Sequence, residues 1–141
     1  MAANTANISP IFTNAGNFTP ARISASNTDN SGGGTLVAVV TGATDGTRVD
    51  GIRFNNSGST TAASAATRIN IFLTVGANIR LIGQVLFPIG ATKTATVLGA
   101  TAIYTFDQPI ILKSGEIISV TSTNWVSSVD NIDACAFAGN Y

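Results

Sequence analysis

The sequence offers few side chains with which a protein carries out covalent chemistry. It contains no histidine, so neither a Ser-His-Asp triad nor a Cys-His pair can form, and a metal site would depend on carboxylates and carbonyls. The single cysteine, Cys135, shares strand parity with Phe137 and is predicted to be a small buried apolar residue rather than a nucleophile. We therefore expect no catalytic residue and no enzymatic activity.

Seven carboxylates remain as candidates for acid-base work, and a glycosidase would need two of them facing each other across a cleft. Asp45 instead fits a turn, and Asp50 fits a cross-strand partner of Arg48 or Arg53. The run Asp130-Asn131-Ile132-Asp133 lacks the spacing of an established calcium loop, which favours a capped turn. The sequence thus predicts no metal and no cofactor.

Two further features are candidate binding sites. Gly32-Gly33-Gly34 is not followed by the lysine or the helix of a phosphate-binding loop, so it is interpreted as a joint. Trp125 lies in a polar stretch, where an aromatic side chain stacks on a sugar ring, anchors a protein interface, or plugs the open end of a β-fold. The sequence leaves these three roles of Trp125 open.

The chain carries little charge. Charged residues make up 10% of it, against about 25% in a typical soluble domain, and the net charge is zero. This balance argues against nucleic acid as a partner and against binding to an anionic membrane, and it favours association with other proteins. The first residues lack the features of a secretory signal, and no stretch approaches a membrane span of about 20 apolar residues. We expect synthesis and folding in a cytoplasm.

Short runs of alternating apolar residues, separated by turn residues, predict an all-β fold. The expected strands are 36–41, 48–55, 68–74, 80–87, 94–98, 101–106, 109–113, 116–122 and 132–139. Strands at this spacing are typical of an antiparallel sandwich or barrel. In 68–74, Ile69, Ile71 and Leu73 share the core face. Phe72 faces outward, either as a contact residue or beneath a loop.

The first 34 residues differ in composition from the rest. They are rich in Asn, Thr, Ala and Ser and end in the glycine run, so residues 1–34 are predicted to be an arm with a hinge, and residues 35–141 the sandwich domain. The arm either adds a first strand to the domain or lies across a neighbouring subunit. The predicted interface residues are Ile8, Ile11, Phe12, Phe18 and Ile23 in the arm, with Phe72 and Trp125 in the domain.

From about Asp45 to Tyr141, the chain resembles a group of structural proteins of tailed bacteriophages. The segments that carry the resemblance are GTRVDGIR at 46–53, RINIFL at 68–73, NIRLI at 78–82, FDQP at 106–109 and AFAGNY at 136–141. In size and composition the chain is also similar to capsid decoration, or cement, proteins, which have jelly-roll folds and commonly sit as trimers where capsomers meet. No catalytic residue carries over from this resemblance.

The resemblance implies a virion component. We expect a single jelly-roll-like antiparallel β-sandwich of eight or nine strands with an extended N-terminal arm, which binds the outside of a phage capsid and stabilises the shell. Its expected partners are the major capsid protein and further copies of itself, as a homotrimer on the capsid surface assembled in the host cytoplasm. The alternative is a carbohydrate-binding or receptor-binding module of a tail fibre or baseplate, with Trp125 in the binding site.

Overall fold

A computed structural model of the protein describes residues 15–17, 19–57, 66–88, 99–124 and 131–141. Every regular element among them is a β-strand, so the prediction of an all-β fold is confirmed. The strands are β1 (Ala15–Gly16), β2 (Ala21–Ile23), β3 (Val37–Thr41), β4 (Thr47–Asn56), β5 (Thr67–Val75), β6 (Asn78–Phe87), β7 (Thr101–Leu112), β8 (Ile117–Ser122) and β9 (Ile132–Asn140).

The strands form two antiparallel sheets that pack face to face as a β-sandwich. The five-stranded sheet has the order β1-β9-β4-β7. β2 is its fifth strand and pairs with the other end of the same β9 edge that binds β1. The four-stranded sheet has the order β3-β8-β5-β6. The core lies between the sheets, because alternate residues of each strand point inward. Its largest members, all without measurable exposure, are Phe54, Ile52, Ile69, Ile71, Leu112 and Ile118.

The strands pair as one long hairpin that is rolled into two layers. The tip is the two-residue turn between β5 and β6, where Gly76 has a φ of 59° that favours glycine. Outward from this tip, β4 pairs with β7, β3 with β8 and β2 with β9. Successive pairs alternate between the two sheets. Apart from the β5–β6 hairpin, these strand pairs therefore join segments that are distant in sequence.

One predicted break in the strands is wrong. The sequence predicts separate strands at 101–106 and 109–113, whereas β7 runs without interruption from Thr101 to Leu112 and includes Pro109. The ladder with β4 is irregular at this point, since Val49 pairs with Ile110 and Gly51 with Thr105. β7 is also the last strand of its sheet, where proline is tolerated. The predicted strand 94–98 lies outside the described residues.

The edge strands β6 and β7 lie next to each other, and an aromatic side chain packs between them. A Cβ atom at Gly83 of β6 would collide with the ring and hydroxyl of Tyr104 of β7, so glycine makes room for this ring. Tyr104 in turn meets Phe106 edge to face, with ring centroids 5.2 Å apart. These two rings pack against the core at this side of the sandwich.

The described part of the N-terminal segment belongs to the sandwich, which corrects the predicted boundary at residue 34. β1 and β2 both pair with β9, and Ile23 is a core residue with 1% exposure. The predicted alternative in which the arm adds a strand therefore holds for residues 15–16 and 21–23. At the predicted glycine joint, Asn27 Nδ2 donates to the carbonyl oxygens of Gly33 and Thr35, at 2.9 and 3.0 Å.

Candidate interaction surfaces

Residues 27–35, called the strap below, lie on the outer face of the four-stranded sheet. The strap begins where the backbone N–H of Asn27 donates to the carbonyl of Ser122, at 2.7 Å. Asn30 Oδ1 then accepts hydrogen bonds from Asn70 Nδ2 at 2.9 Å and from Arg68 at 3.3 Å, both on β5. A Cβ at Gly32 would collide with Ile79 of β6. The strap thus crosses from β8 over β5 to β6.

Polar side chains, rather than apolar ones, hold the strap in shape. Asp29 Oδ1 accepts hydrogen bonds from both the backbone N–H and the hydroxyl of Ser31, each at 2.6 Å. The side-chain bond is the main cause of a lowered pKa of the Asp29 carboxyl, and the backbone bonds from Ser31 and Gly33 add to it. Beneath the strap, Asn70 is fully buried and accepts from Gln84 at 2.8 Å. The outer face of this sheet is therefore partly sealed by the chain itself.

Two predicted interface residues are buried, which corrects their assignment. Phe72 points away from the core cluster, as the alternation predicted, but it has 0% exposure. It lies on the outer face of β5, two residues from Asn70, which the strap binds. Ile23 is buried in the core at 1% exposure. Neither side chain is available to a partner in this fold.

The outer face of the five-stranded sheet is open and partly apolar. The pairing register places Phe137 beside Gly51 and Thr105, and it places Cys135 beside Arg53 and Ile103 in the next row. Phe137 is 40% exposed and Ile103 is 57% exposed, although both sit on regular strands. The sheet thus presents large apolar side chains to solvent.

This arrangement corrects the prediction for Cys135. The thiol shares a face with Phe137, as predicted, but that face is the outer one and the residue is half-buried. The core side of β9 carries Ala134, Ala136 and Ala138, which are buried. Small side chains there let the two sheets approach closely. The sequence analysis did not predict that Phe137 is at the surface. The sequence does contain a signal for it, because Phe137 alternates with three alanines that can share the core face.

Four described charged groups of this face are held in two ion pairs. Arg22 Nε of β2 donates to Asp133 Oδ1 of β9 at 2.9 Å, and Arg48 Nη2 donates to Asp50 Oδ1 at 2.8 Å. The hydrogen bond from Arg22 is the largest cause of a lowered pKa of the Asp133 carboxyl. Both pairs are well exposed, so each stabilises the fold only modestly. Arg53 differs, since its Nε donates to the neutral amide oxygen of Asn55 at 3.0 Å.

The lowered pKa of Asp133 predicts a specific sensitivity to acid. The stabilisation is fully present above the pKa of the unfolded carboxyl, about 4, and is lost as the pH falls through the lower folded-state value. Thermal unfolding should therefore show a melting temperature that falls below about pH 4. In Asp133→Asn this fall should be smaller, whereas Asp107→Asn, which removes an exposed acid at the sheet edge, should follow the wild type. Identical pH profiles for the wild type and Asp133→Asn would contradict this role.

Glu116 also has a structural contact. Glu116 Oε2 accepts from the backbone N–H of Lys113 at 2.9 Å, which closes the turn between β7 and β8. In the described part of the chain, no group of three or more His, Cys, Asp or Glu side chains is placed to hold a metal ion. No helix among the described residues is long and apolar enough to cross a membrane.

Several predicted residues lie outside the described residues. They are Ile8, Ile11, Phe12, Phe18, Trp125 and Asp130. The three roles weighed for Trp125, and the contact role of the apolar arm residues, stay predictions.

Compared with known proteins, the chain matches no protein-family model, and no curated protein matches it at a significant level.

Proposed function

We propose that the protein is a decoration, or cement, protein, which binds the outside of a tailed-phage capsid and stabilises the shell through contacts between subunits. The observation that carries the proposal is that described charged side chains bind within the fold, while large apolar side chains are exposed on one sheet. The described ion pairs and the carboxylate of Asp29 hold strands and turns in place, whereas Phe137, Ile103 and Ile111 are exposed on one sheet. A fold that exposes contact residues in this way is suited to binding through its surface.

The strand connectivity supports the finer assignment of the fold as a jelly roll. A jelly roll is a long antiparallel hairpin wrapped so that successive strand pairs alternate between two sheets. The pairing of β5 with β6, β4 with β7, β3 with β8 and β2 with β9 fits this description. The resemblance to decoration proteins implies the same fold. We infer that the sandwich is of the jelly-roll type.

The low charge suits a protein that is covered by neighbours. A contact of standard size only modestly exceeds the cost of association, so a cement protein stabilises a shell by repeating the contact over many copies. A surface with few charges is desolvated at smaller cost than a highly charged one. The partners that we propose are the major capsid protein and other copies of this chain, assembled in the host cytoplasm as a homotrimer on the capsid surface.

The copy number in the virion tests the proposal. If the protein is a cement protein, virions purified from the phage that encodes it should contain it in numbers comparable to the shell protein. Electron microscopy of the same particles should place its density on the outer capsid surface. A few copies per virion, located on the tail, would support the tail module instead. Particles without the protein would refute both.

A further inference from the structure

The two sheets differ in how far the chain covers the outward-pointing phenylalanine on each. On the four-stranded sheet, the strap binds Asn70, and Phe72 beside it is 0% exposed. On the five-stranded sheet, Phe137 is 40% exposed and Ile103 is 57% exposed. The chain thus covers an outward phenylalanine on one sheet and leaves one open on the other. The exposed large apolar residues of the four-stranded sheet lie on its edge hairpin, β5–β6, and are Val75, Leu81 and Leu86. The open phenylalanine on β9, inside the five-stranded sheet, favours that sheet as the contact surface.

The open apolar residues surround a single arginine. Arg53 of β4 lies in register between Cys135 of β9 and Ile103 of β7, and the row below it holds Phe137 and Gly51. Gly51 itself is buried, because the carbonyl oxygen of Tyr104 lies where its Cβ would be. Aromatic and arginine side chains together are the residue types that dominate binding energy in protein interfaces. The surface defined by Arg53, Cys135, Ile103 and Phe137 is called the Arg53 face below.

The charges of this sheet indicate what kind of surface fits against it. Arg22 and Arg48 are bound to Asp133 and Asp50, while Arg53 is bound only to the amide of Asn55 among the described residues. Covering Arg53 with an apolar surface alone would desolvate its charge without compensation, which is costly. A complementary surface must therefore present a carboxylate to it. In a second copy of the same face Asp50 and Asp133 already bind arginines, so among the described acids of this sheet only Asp107, on the edge strand β7, could meet Arg53.

We propose that the Arg53 face docks onto the capsid shell, at a patch of the shell protein that is apolar and presents a carboxylate to the Arg53 guanidinium. This inference rests on the proposed function and adds the surface and the chemistry of the partner. Phe137 and Ile103 supply the buried apolar contact, and Arg53 fixes the orientation through a charge-assisted hydrogen bond.

Binding to shells assembled from the purified major capsid protein tests the proposal. Phe137→Ala should weaken binding about 30-fold, the effect of losing a central contact residue. Arg53→Glu should weaken it by at least about 30-fold, because it places two carboxylates together, while Arg53→Lys should retain part of the affinity. The matched control is Leu86→Lys, which changes a 72% exposed residue of the four-stranded sheet and should bind as the wild type does. Circular dichroism should show that all four variants remain folded.

The possible failures can be told apart. If the wild type does not bind the shells, the proposed function itself fails. If the wild type binds and the Phe137 and Arg53 variants bind equally well, the docking assignment is overturned, and a loss confined to Leu86→Lys would move the contact to the other sheet. If light scattering shows that Phe137→Ala dissociates an oligomer of the free protein without affecting shell binding, the face joins copies of this chain and the proposal is also overturned.

Discussion

Replacing Phe72 with alanine should lower the free energy of unfolding by about 3–5 kcal/mol, as truncation of a buried phenylalanine does. This result is expected even though Phe72 points away from the core between the sheets, because its side chain has no exposed surface. The truncation leaves a cavity on the outer face of β5, beside the Asn70 amide that the strap binds. Denaturation in urea, followed by fluorescence or circular dichroism, measures the effect.

Phe137→Ala is the matched control for this experiment. It makes the same change at an outward phenylalanine that is 40% exposed, and it should cost about 1 kcal/mol or less because part of the ring is already in water. If the two variants are equally stable, the outer face of the four-stranded sheet is not sealed. Phe72 would then return as a candidate contact residue.

Gly42→Ala should be the most damaging of the single glycine changes at the end of the sandwich. Its new methyl group would collide with the backbone carbonyl oxygen of Lys113. Neither segment can move away easily, since the N–H of Gly42 donates to Glu116 O at 2.8 Å and Gly115 N–H donates to Gly42 O at 3.1 Å. We expect a loss of about 3 kcal/mol and a fall in melting temperature of about 10 °C, measured by thermal unfolding.

Gly115→Asn changes another glycine of the same contact and is the control for Gly42→Ala. Gly115 has a φ of 80°, but no atom lies within 4 Å of a Cβ built there. Asparagine tolerates positive φ better than other residues with a side chain, so the cost should be about 1 kcal/mol or less. If Gly42→Ala lowered the melting temperature less than Gly115→Asn, the two hydrogen-bonded turns would be able to move apart to admit the methyl group.

The strands could be predicted from the sequence because alternation is a local signal. Ile69, Ile71 and Leu73 share a face in the sequence and pack on the core in the structure. The predicted break between 101–106 and 109–113 was wrong for a reason that the sequence does not contain. Proline is tolerated within a strand at the edge of a sheet or at a bulge, and the position of β7 at the edge of its sheet follows from the whole topology.

The strap could not be predicted, because its composition has two physical meanings. Asn, Asp, Ser and Gly make flexible linkers, and the same side chains also bond to nearby backbone groups and fix a loop. In the strap, Asn27 binds Gly33 and Thr35 while Asp29 binds Ser31, so the run that resembles a joint is held in place. The deciding contacts come from Asn70 and Ser122, which are distant in sequence.

The candidate contact face was hidden for a different reason. Alternation shows that Cys135 and Phe137 share one face of β9 and the three alanines the other, but it does not show which face meets the core. Size favours the phenylalanine as the inward residue. The close approach of the two sheets reverses this preference, and that approach is a property of the assembled sandwich.

The rolled hairpin also sets the order in which the protein completes itself during synthesis. β5 and β6 are joined by a two-residue turn and can pair as soon as both have left the ribosome, whereas β2 has no partner until β9 has been made, since Ala21 pairs with Ala134. Until then Ile23 is uncovered, and such long-range pairing is slow to form. The sandwich therefore closes after translation of its last strand, and newly made chains pass through a stage in which their apolar strands are open to other chains.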